Sequence, residues 1–400
     1  MEKFNVGGYW LDRPFQTRRL GHFHFFSDRM ADAMHFYTNL LGFQVSDSID
    51  MRKRFPPGVE LSELDSTLYF ARYGGDHHAF VLCSMQMMTA RGRQFAPGVT
   101  VGQITWQVGS LLEVVRGEEW FQKNKLQILK SGRDTPGSNW HTYTPDPDGH
   151  PNELYYGMEQ IGWDGLSKPN ALHRGFHTPP ELPQIAEYQE IEQAVAQGVD
   201  IASGNRFREP RSFDFDVDGV RMPRPFRITG IGPVRLFVDD LETSLRFYTQ
   251  RIGLRVTEEV VWNGHRCIFL RCGTEHHSLA LYPTALRAEL GLAQRSKCFS
   301  FGVRVNDYQQ LRNCVAFLEK EGVSIKHLPP ELFPGMEYCA FAADPDGHLI
   351  QLHAYMEQVG WDGRPRPADQ RRKIDNSAWP EALDPSSDNW CGEPFFGPWA

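Results

Sequence analysis

One pattern of this chain occurs twice, and that repeat limits its possible folds more than any other feature. Residues from Arg13 read RPFQTRRLGHFHFFSDRMADAMHFYTNLLGF, and residues from Arg224 read RPFRITGIGPVRLFVDDLETSLRFYTQRIGL, an offset of 211. GGDHHAFVL from Gly74 returns as GTEHHSLAL from Gly273. DPDGHPNELYYGMEQIGWDG from Asp146 returns as DPDGHLIQLHAYMEQVGWDG from Asp344, where the offset has fallen to 198. The first half therefore carries about a dozen extra residues, placed around FPPGVELSEL. Self-similarity at this scale means two homologous halves.

Within each half the order strand, helix, then several strands occurs twice. In the first unit LGHFHFF reads as a strand, and Asp28 to Leu41 as a helix with Met30, Met34, Tyr37 and Leu41 on its apolar face and Gly42 as its stop. Strands follow near Phe43 to Asp47, Ser66 to Tyr73 and His78 to Ser84. The second unit has GQITWQV as a strand, Leu111 to Lys123 as an amphipathic helix, then LQILKSG, HTYTPD and NELYYG. The later units start at Val234 and Phe299. The prediction is an α+β chain of four βαβββ modules: residues 1–163, a linker 164–227 with one helix in IAEYQEIEQAVAQG, residues 228–363, and an irregular tail 364–400. After Arg372 that tail, with four prolines and three tryptophans, is expected to lie over the surface.

Length and composition agree with several packed units, since 400 residues exceed one ordinary core and 40% are hydrophobic. The charge of −8 has both signs interspersed and no Lys/Arg block, which excludes nucleic acid as an expected partner. No apolar run reaches the roughly 18 residues of a membrane span, and MEKFNVGGYWLDRPF has no apolar leader, so a soluble cytoplasmic protein is expected. Seven cysteines without C-x-x-C spacing (Cys83, Cys267, Cys272, Cys298, Cys314, Cys339, Cys391) read as reduced, mostly buried thiols.

His22 and His24 share one face of the LGHFHFF strand, and Phe23 and Phe25 share the other. Either the histidine face is core or it is a site. Glu153 poses the same question, because an unpaired carboxylate in an apolar strand is costly to bury and calls for a cation.

The four units, the F-Y-x-x-x-L/I-G-F/L segments, the H-H pairs and the D-P-D-G-H turns together resemble the vicinal oxygen chelate superfamily, which includes glyoxalases, bleomycin resistance proteins and extradiol dioxygenases. The first half looks most like the metal-bearing domain of type I extradiol ring-cleavage dioxygenases, and the likeness covers nearly all of residues 16 to 160 and 228 to 360. By position, the resemblance implies His22, Gln103 and Glu153 as metal ligands, although the second place is normally histidine in the dioxygenases. It also implies His78 as acid/base and Tyr143 as an active-site tyrosine.

His141 and His24 could each supply the missing imidazole. His141 is expected behind the ligands or against substrate, and His24 and His77 as structural. Phe25, Trp106, Phe80 and Tyr155 are expected to form an aromatic wall. In the second half the corresponding residues read Pro233, Cys298, Phe341 (for Tyr143), Cys339 (for His141) and Gln351, so one metal per chain would belong to the first half. His276 and His277 persist there; the D-P-D-G-H histidines His150 and His348 and the terminal Trp163 and Trp361 recur regardless of the ligands. Recurrence marks structure: turn chemistry for His150 and His348, packing that closes each half for the tryptophans.

The resemblance implies an Fe(II)-dependent extradiol-type dioxygenase acting on a catecholic or related aromatic diol with O2, with Mn(II) or another divalent ion as the other metal choice, and a homo-oligomer. Two rivals stand beside it: a non-oxidative lyase or isomerase using the metal as Lewis acid, for which Gln103 would be natural, and a small-molecule binding protein. Fold alone does not choose among them.

Overall fold

The computed structural model describes residues 2–384 except 134–135, 174, 180, 182–185, 293 and 361. The first half opens with a hairpin of β1 (Phe4–Val6) and β2 (Tyr9–Leu11). Then come β3 (Arg19–Ser27), α1 (Met30–Met34), β4 (Gln44–Asp50), β5 (Thr67–Arg72), β6 (Phe80–Ser84) and α2 (Met85–Ala90). Its second unit is β7 (Val101–Gln107), α3 (Leu111–Lys123), β8 (Lys130–Gly132), β9 (His141–Pro145) and β10 (Pro151–Tyr155). After α4 (Glu187–Ala196) and a second hairpin of β11 (Phe215–Val217) and β12 (Val220–Met222), the plan repeats. It runs β13 (Ile228–Val238), α5 (Leu241–Arg246), β14 (Arg255–Trp262), β15 (His265–Arg271), β16 (Leu279–Pro283), α6 (Leu286–Glu289), β17 (Cys298–Val305), α7 (Tyr308–Lys320), β18 (Ile325–Lys326), β19 (Cys339–Ala343) and β20 (Leu349–His353).

Each half is one eight-stranded sheet, ordered β4-β5-β6-β3-β7-β10-β9-β8 and β14-β15-β16-β13-β17-β20-β19-β18. In both, the first strands of the two units pair antiparallel at the centre. Strand alternation sends Phe23 and Phe25 to one face and His22 and His24 to the other. The phenylalanine face packs on the other half: Phe23 stacks on Phe301 at 4.4 Å and Phe25 on His348 at 4.2 Å. Side chains of both halves merge in one apolar core there. The halves are also tied by Tyr37 to Asp344 and by Tyr248 to Asp146.

Several expectations are corrected. The predicted helix from Asp28 to Leu41 is α-helical only over α1 and continues as a wide π-helical turn, His35–Leu40, with a matching turn at Phe247–Ile252 after α5. That wider turn buries Phe36, Tyr37, Leu40 and Leu41 together, leaving Met34 only partly buried. LQILKSG forms a strand only over β8. The linker is more than filler, because β11 and β12 repeat the first hairpin: FNVGGYWLDRPF from Phe4 answers FDVDGVRMPRPF from Phe215.

The extra residues do fall between β4 and β5, where the second half turns tightly through Asn263 and Gly264, both at positive φ. Trp163 does not close its half, being fully exposed at 101%. Closure comes instead from backbone bridges of Asp76 to Gln160 and Ser138 to Met158, with Ile161 buried. Trp361 lies outside the described residues, as does the tail from 385 onward, including Cys391. The described tail does lie over the surface, Trp379 packing on Tyr308 and Tyr338. Of the other cysteines, all are free thiols and only Cys272 is incompletely buried. No described helix is long and apolar enough to cross a membrane.

Candidate metal centre

The histidine face of the first sheet forms the floor of a cavity of about 660 Å³, within the range of small-molecule sites. β3 supplies His22 and His24, β7 supplies Gln103, β9 Tyr143 and β10 Glu153, while His78 stands just ahead of β6. Register brings them together: Glu153 lies opposite Tyr143 on one side and Thr105 on the other, and His24 lies opposite Gln103.

His22 Nε2 is 3.2 Å from Glu153 Oε2 and 2.9 Å from the Gln103 amide nitrogen, with both His22 and Glu153 1% exposed. These contacts make opposite demands on Nε2. A carboxylate wants a proton there, and an amide N–H wants a lone pair. Turning the Gln103 amide over presents three lone pairs from three strands, which is what a cation requires. Glu153 Oε2 also has no hydrogen-bond partner, an orphan that a metal would satisfy.

Among the described residues no three His, Cys, Asp or Glu side chains stand together to hold a metal. The residues thus fit a divalent ion only with the Gln103 oxygen included. Burial alone would raise the Glu153 pKa, but the adjacent His22 ring, with His141 and Tyr143, holds it below the usual carboxylate range.

His141 Nδ1 lies 3.4 Å from the other Glu153 oxygen, Oε1. The Tyr143 hydroxyl reaches the Gln103 amide at 3.4 Å. The His78 ring stands edge-on to His22 with centroids 4.5 Å apart. Burial, with the charges of His22 and His77, pushes the His78 pKa well below its ordinary value, so the ring is a neutral base. His77 is not turned away from it: the two Nδ1 atoms are 3.0 Å apart, and His77 Nε2 faces Asp47 at 3.9 Å. Gly137 makes room for this pair, since a Cβ there would sit 2.2 Å from the His77 ring.

His24 lines the same cavity, bonds to Cys83 at 3.2 Å, and is held neutral by burial and Arg93, its pKa pushed down to about 3. Gly102 allows it to lie flat on β7, where a Cβ would be 2.2 Å from its Nδ1.

The expected aromatic wall is corrected. Phe25, Phe80 and Trp106 point through the sheet into the core, on the opposite strand phase from His22. Tyr155 does pack on His22, at 5.0 Å. The wall itself comes from Phe70, Phe95, Met51, Met87 and Met88, with Arg54, Arg91 and Arg93 beside them. Sequence reasoning missed these residues, although the methionines of M-Q-M-M-T-A-R-G-R and the extra segment after β4 were visible as differences from the second half.

The second half is built on the same positions with other chemistry. Register pairs Arg235 with Ser300 as it pairs His24 with Gln103, so the counterpart of Gln103 is Ser300 and not Cys298, an error of two residues and one full strand period. Pairing of Gln351 with Phe341 and of His353 with Cys339 matches that of Glu153 with Tyr143 and of Tyr155 with His141. Arg235, in the place of His24, fills the cup. It donates to Gln351 Oε1 at 2.5 Å and to His277 Nε2 at 3.0 Å, and lies over the Phe333 ring at 5.0 Å. Because His277 Nε2 must accept from Arg235, its Nδ1–H points to His276, whose Nε2 meets Glu258 at 2.9 Å. The same arrangement in the first half leaves His78 Nε2 as the lone pair.

The fold is that of a vicinal oxygen chelate protein, with one candidate metal cup among the described residues. Residues 19–154 and 230–352 match the Glyoxalase/Bleomycin resistance protein/Dioxygenase superfamily, and the chain belongs to that superfamily. No curated protein sequence matches it. Among solved structures it resembles a halotolerant catechol dioxygenase (TM-score 0.55, 14% identity, covering 88% of this chain and 91% of that one). It likewise resembles homoprotocatechuate 2,3-dioxygenase from Arthrobacter globiformis (0.55, 16%, 90% and 86%). A Mn(II)-bound glyoxalase from Novosphingobium aromaticivorans is similar to the same degree (0.53, 13%, 87% and 85%). At such identities the likeness speaks for the fold alone.

Proposed function

We propose that the first half is a metal-dependent ring-cleavage dioxygenase of the extradiol type, acting on a catecholic or related aromatic diol. The observation that supports it is the convergence of His22, Gln103 and Glu153 beside a neutral His78 and the Tyr143 phenol, in a half whose twin has its cup filled by Arg235. When bound, a divalent ion, Fe(II) in this reading, supplies Lewis acidity and one-electron chemistry. His22, Gln103 and Glu153 hold it. His78 Nε2 takes the phenolic proton of the entering diol and returns a proton to the departing oxygen. The Tyr143 hydroxyl donates a hydrogen bond to a substrate oxygen. Phe70, Phe95 and the methionines keep water from the ring.

The neutral Gln103 amide favours a second reading, a lyase or isomerase in which the ion acts as Lewis acid only. Metal content after anaerobic purification, followed by oxygen uptake with a panel of catechols, separates the two. Bound iron with diol-dependent oxygen uptake is the expected result. Manganese, nickel or zinc with no oxygen uptake would overturn it in favour of the Lewis-acid reading.

A further inference from the structure

The charges around the cavity are one-sided. The chain as a whole carries −8, yet the charged residues lining this cavity are Arg54, Arg91, Arg93 and Lys130 against the single carboxylate Glu153. Arg93 is the half-buried member, its guanidinium 5.1 Å over the Phe95 ring and 5.6 Å over Phe26. Among the described residues it has no carboxylate partner and no side-chain hydrogen bond. It lines the cavity together with His24 and Tyr143, beside the candidate centre.

The second half shows what a guanidinium in this region does when it serves structure. Arg287 lies 6.0 Å over Phe237, the counterpart of Phe26, and spends its donors on Ser296 O at 3.0 Å and Gln294 Oε1 at 2.7 Å. Arg93 keeps the aromatic seat and lines the cavity without such partners for its donors among the described residues. A guanidinium braced on aromatic rings and aimed into a cavity matches the planar, bidentate geometry of a carboxylate.

We propose that this cavity takes aromatic substrates bearing a carboxylate, which Arg93 binds in bidentate fashion while Arg91 and Arg54 attract it at the mouth. The inference rests on the reading of the cavity as a substrate site, and it does not require ring cleavage.

The test is calorimetric binding to the full chain of two probes that lack a diol, 2-naphthoate and the neutral 2-naphthamide. The naphthoate is expected to bind tighter by about tenfold or more at low salt. Arg93→Met should erase that preference and leave naphthamide binding unchanged. Arg91→Gln and Arg54→Gln, at exposed positions with little folding risk, should each trim it by about two- to fivefold. Equal binding of the two probes, no naphthoate binding at millimolar concentration, or equal weakening of both by Arg93→Met would overturn the inference. Catechol and 3,4-dihydroxybenzoate turnover is scored separately. Naphthoate selectivity without turnover keeps this inference and sinks the dioxygenase reading, and turnover without selectivity does the reverse.

Discussion

The Tyr37 hydroxyl, in the first half, donates to the Asp344 carboxylate of the second half at 2.8 Å, and Tyr248 returns the same bond to Asp146 at 2.8 Å. The two repeated motifs thus complete each other. The tyrosine of each F-Y-T segment docks on the first aspartate of the other half's D-P-D-G-H turn, where His348 or His150 braces the same carboxylate. Burial pushes both phenols upward, so they remain donors, while the histidine and tyrosine contacts hold both carboxylates below their usual range despite burial.

Tyr37→Phe should therefore cost about 1.5–3 kcal/mol, the range for a hydrogen bond to a charged group, and Tyr248→Phe a similar amount. Urea unfolding followed by circular dichroism gives both values. A loss below about 0.5 kcal/mol in either variant would mean that the bond does not hold the halves together.

Much of this fold was readable because its repeat was. Two halves, four modules, the placement of α3 and the insertion before β5 follow from self-similarity and periodicity. The error at Trp163 came from treating recurrence as packing, when the recurring contact is made by backbone and cannot be read from side-chain identity. The Gln103 counterpart was misplaced because β7 and β17 align only through sheet register, with bulges in β3 and β13. Arg93 and the methionine wall were missed for a different reason: they become a site only when α2 and the insertion fold over the β3 face. Arg235 was overlooked because it aligns with His24, which was read as structural.

At the candidate centre, Glu153→Gln keeps the side chain's shape but removes the one charged group of the proposed ligand set. Metal content by elemental analysis should fall to about a tenth of the unmodified protein's or less, with the circular dichroism spectrum unchanged. Gln103→His supplies an imidazole where an amide stood and should raise Fe(II) affinity by about tenfold or more, near 1.4 kcal/mol. Full occupancy in the first variant, or unchanged affinity in the second, removes the respective residue from the ligand set.

Acid should weaken the fold well above the carboxylate range. Burial holds His24 and His353 down to about 3, and His78 and His277 well below 6.5. These groups are neutral in the folded chain and take up protons near 6.5 when unfolded, so between about pH 6.5 and 3 the unfolded state binds more protons. Stability must therefore fall as pH falls through that window. Asp146 and Asp344 act lower: their contribution is complete above about 3.8 and is lost as pH drops through their depressed folded values. His353→Leu, in the other half from the candidate metal cup, should reduce the slope of unfolding free energy near pH 5 by about 1.4 kcal/mol per pH unit, one proton's worth. An unchanged slope would show that His353 is protonated in the folded chain.

The two cups allow a transplant. Arg235 stands where the first half has His24, and its guanidinium meets Gln351 and His277 as a metal would meet Glu153 and stand beside His78. His24→Arg should carry that arrangement into the first half, with the added gain that its partner, Glu153, is a carboxylate. The expected variant binds metal at about a tenth or less of the original occupancy, because a fixed cation repels another at the same lone pairs. Its fold should survive, since the second half already tolerates a fully buried guanidinium at this register position. Elemental analysis and a thermal melt on the same preparation decide the matter. Loss of metal with an intact melting transition is the predicted pair, and normal metal content in the folded variant would show that the two cups are not equivalent.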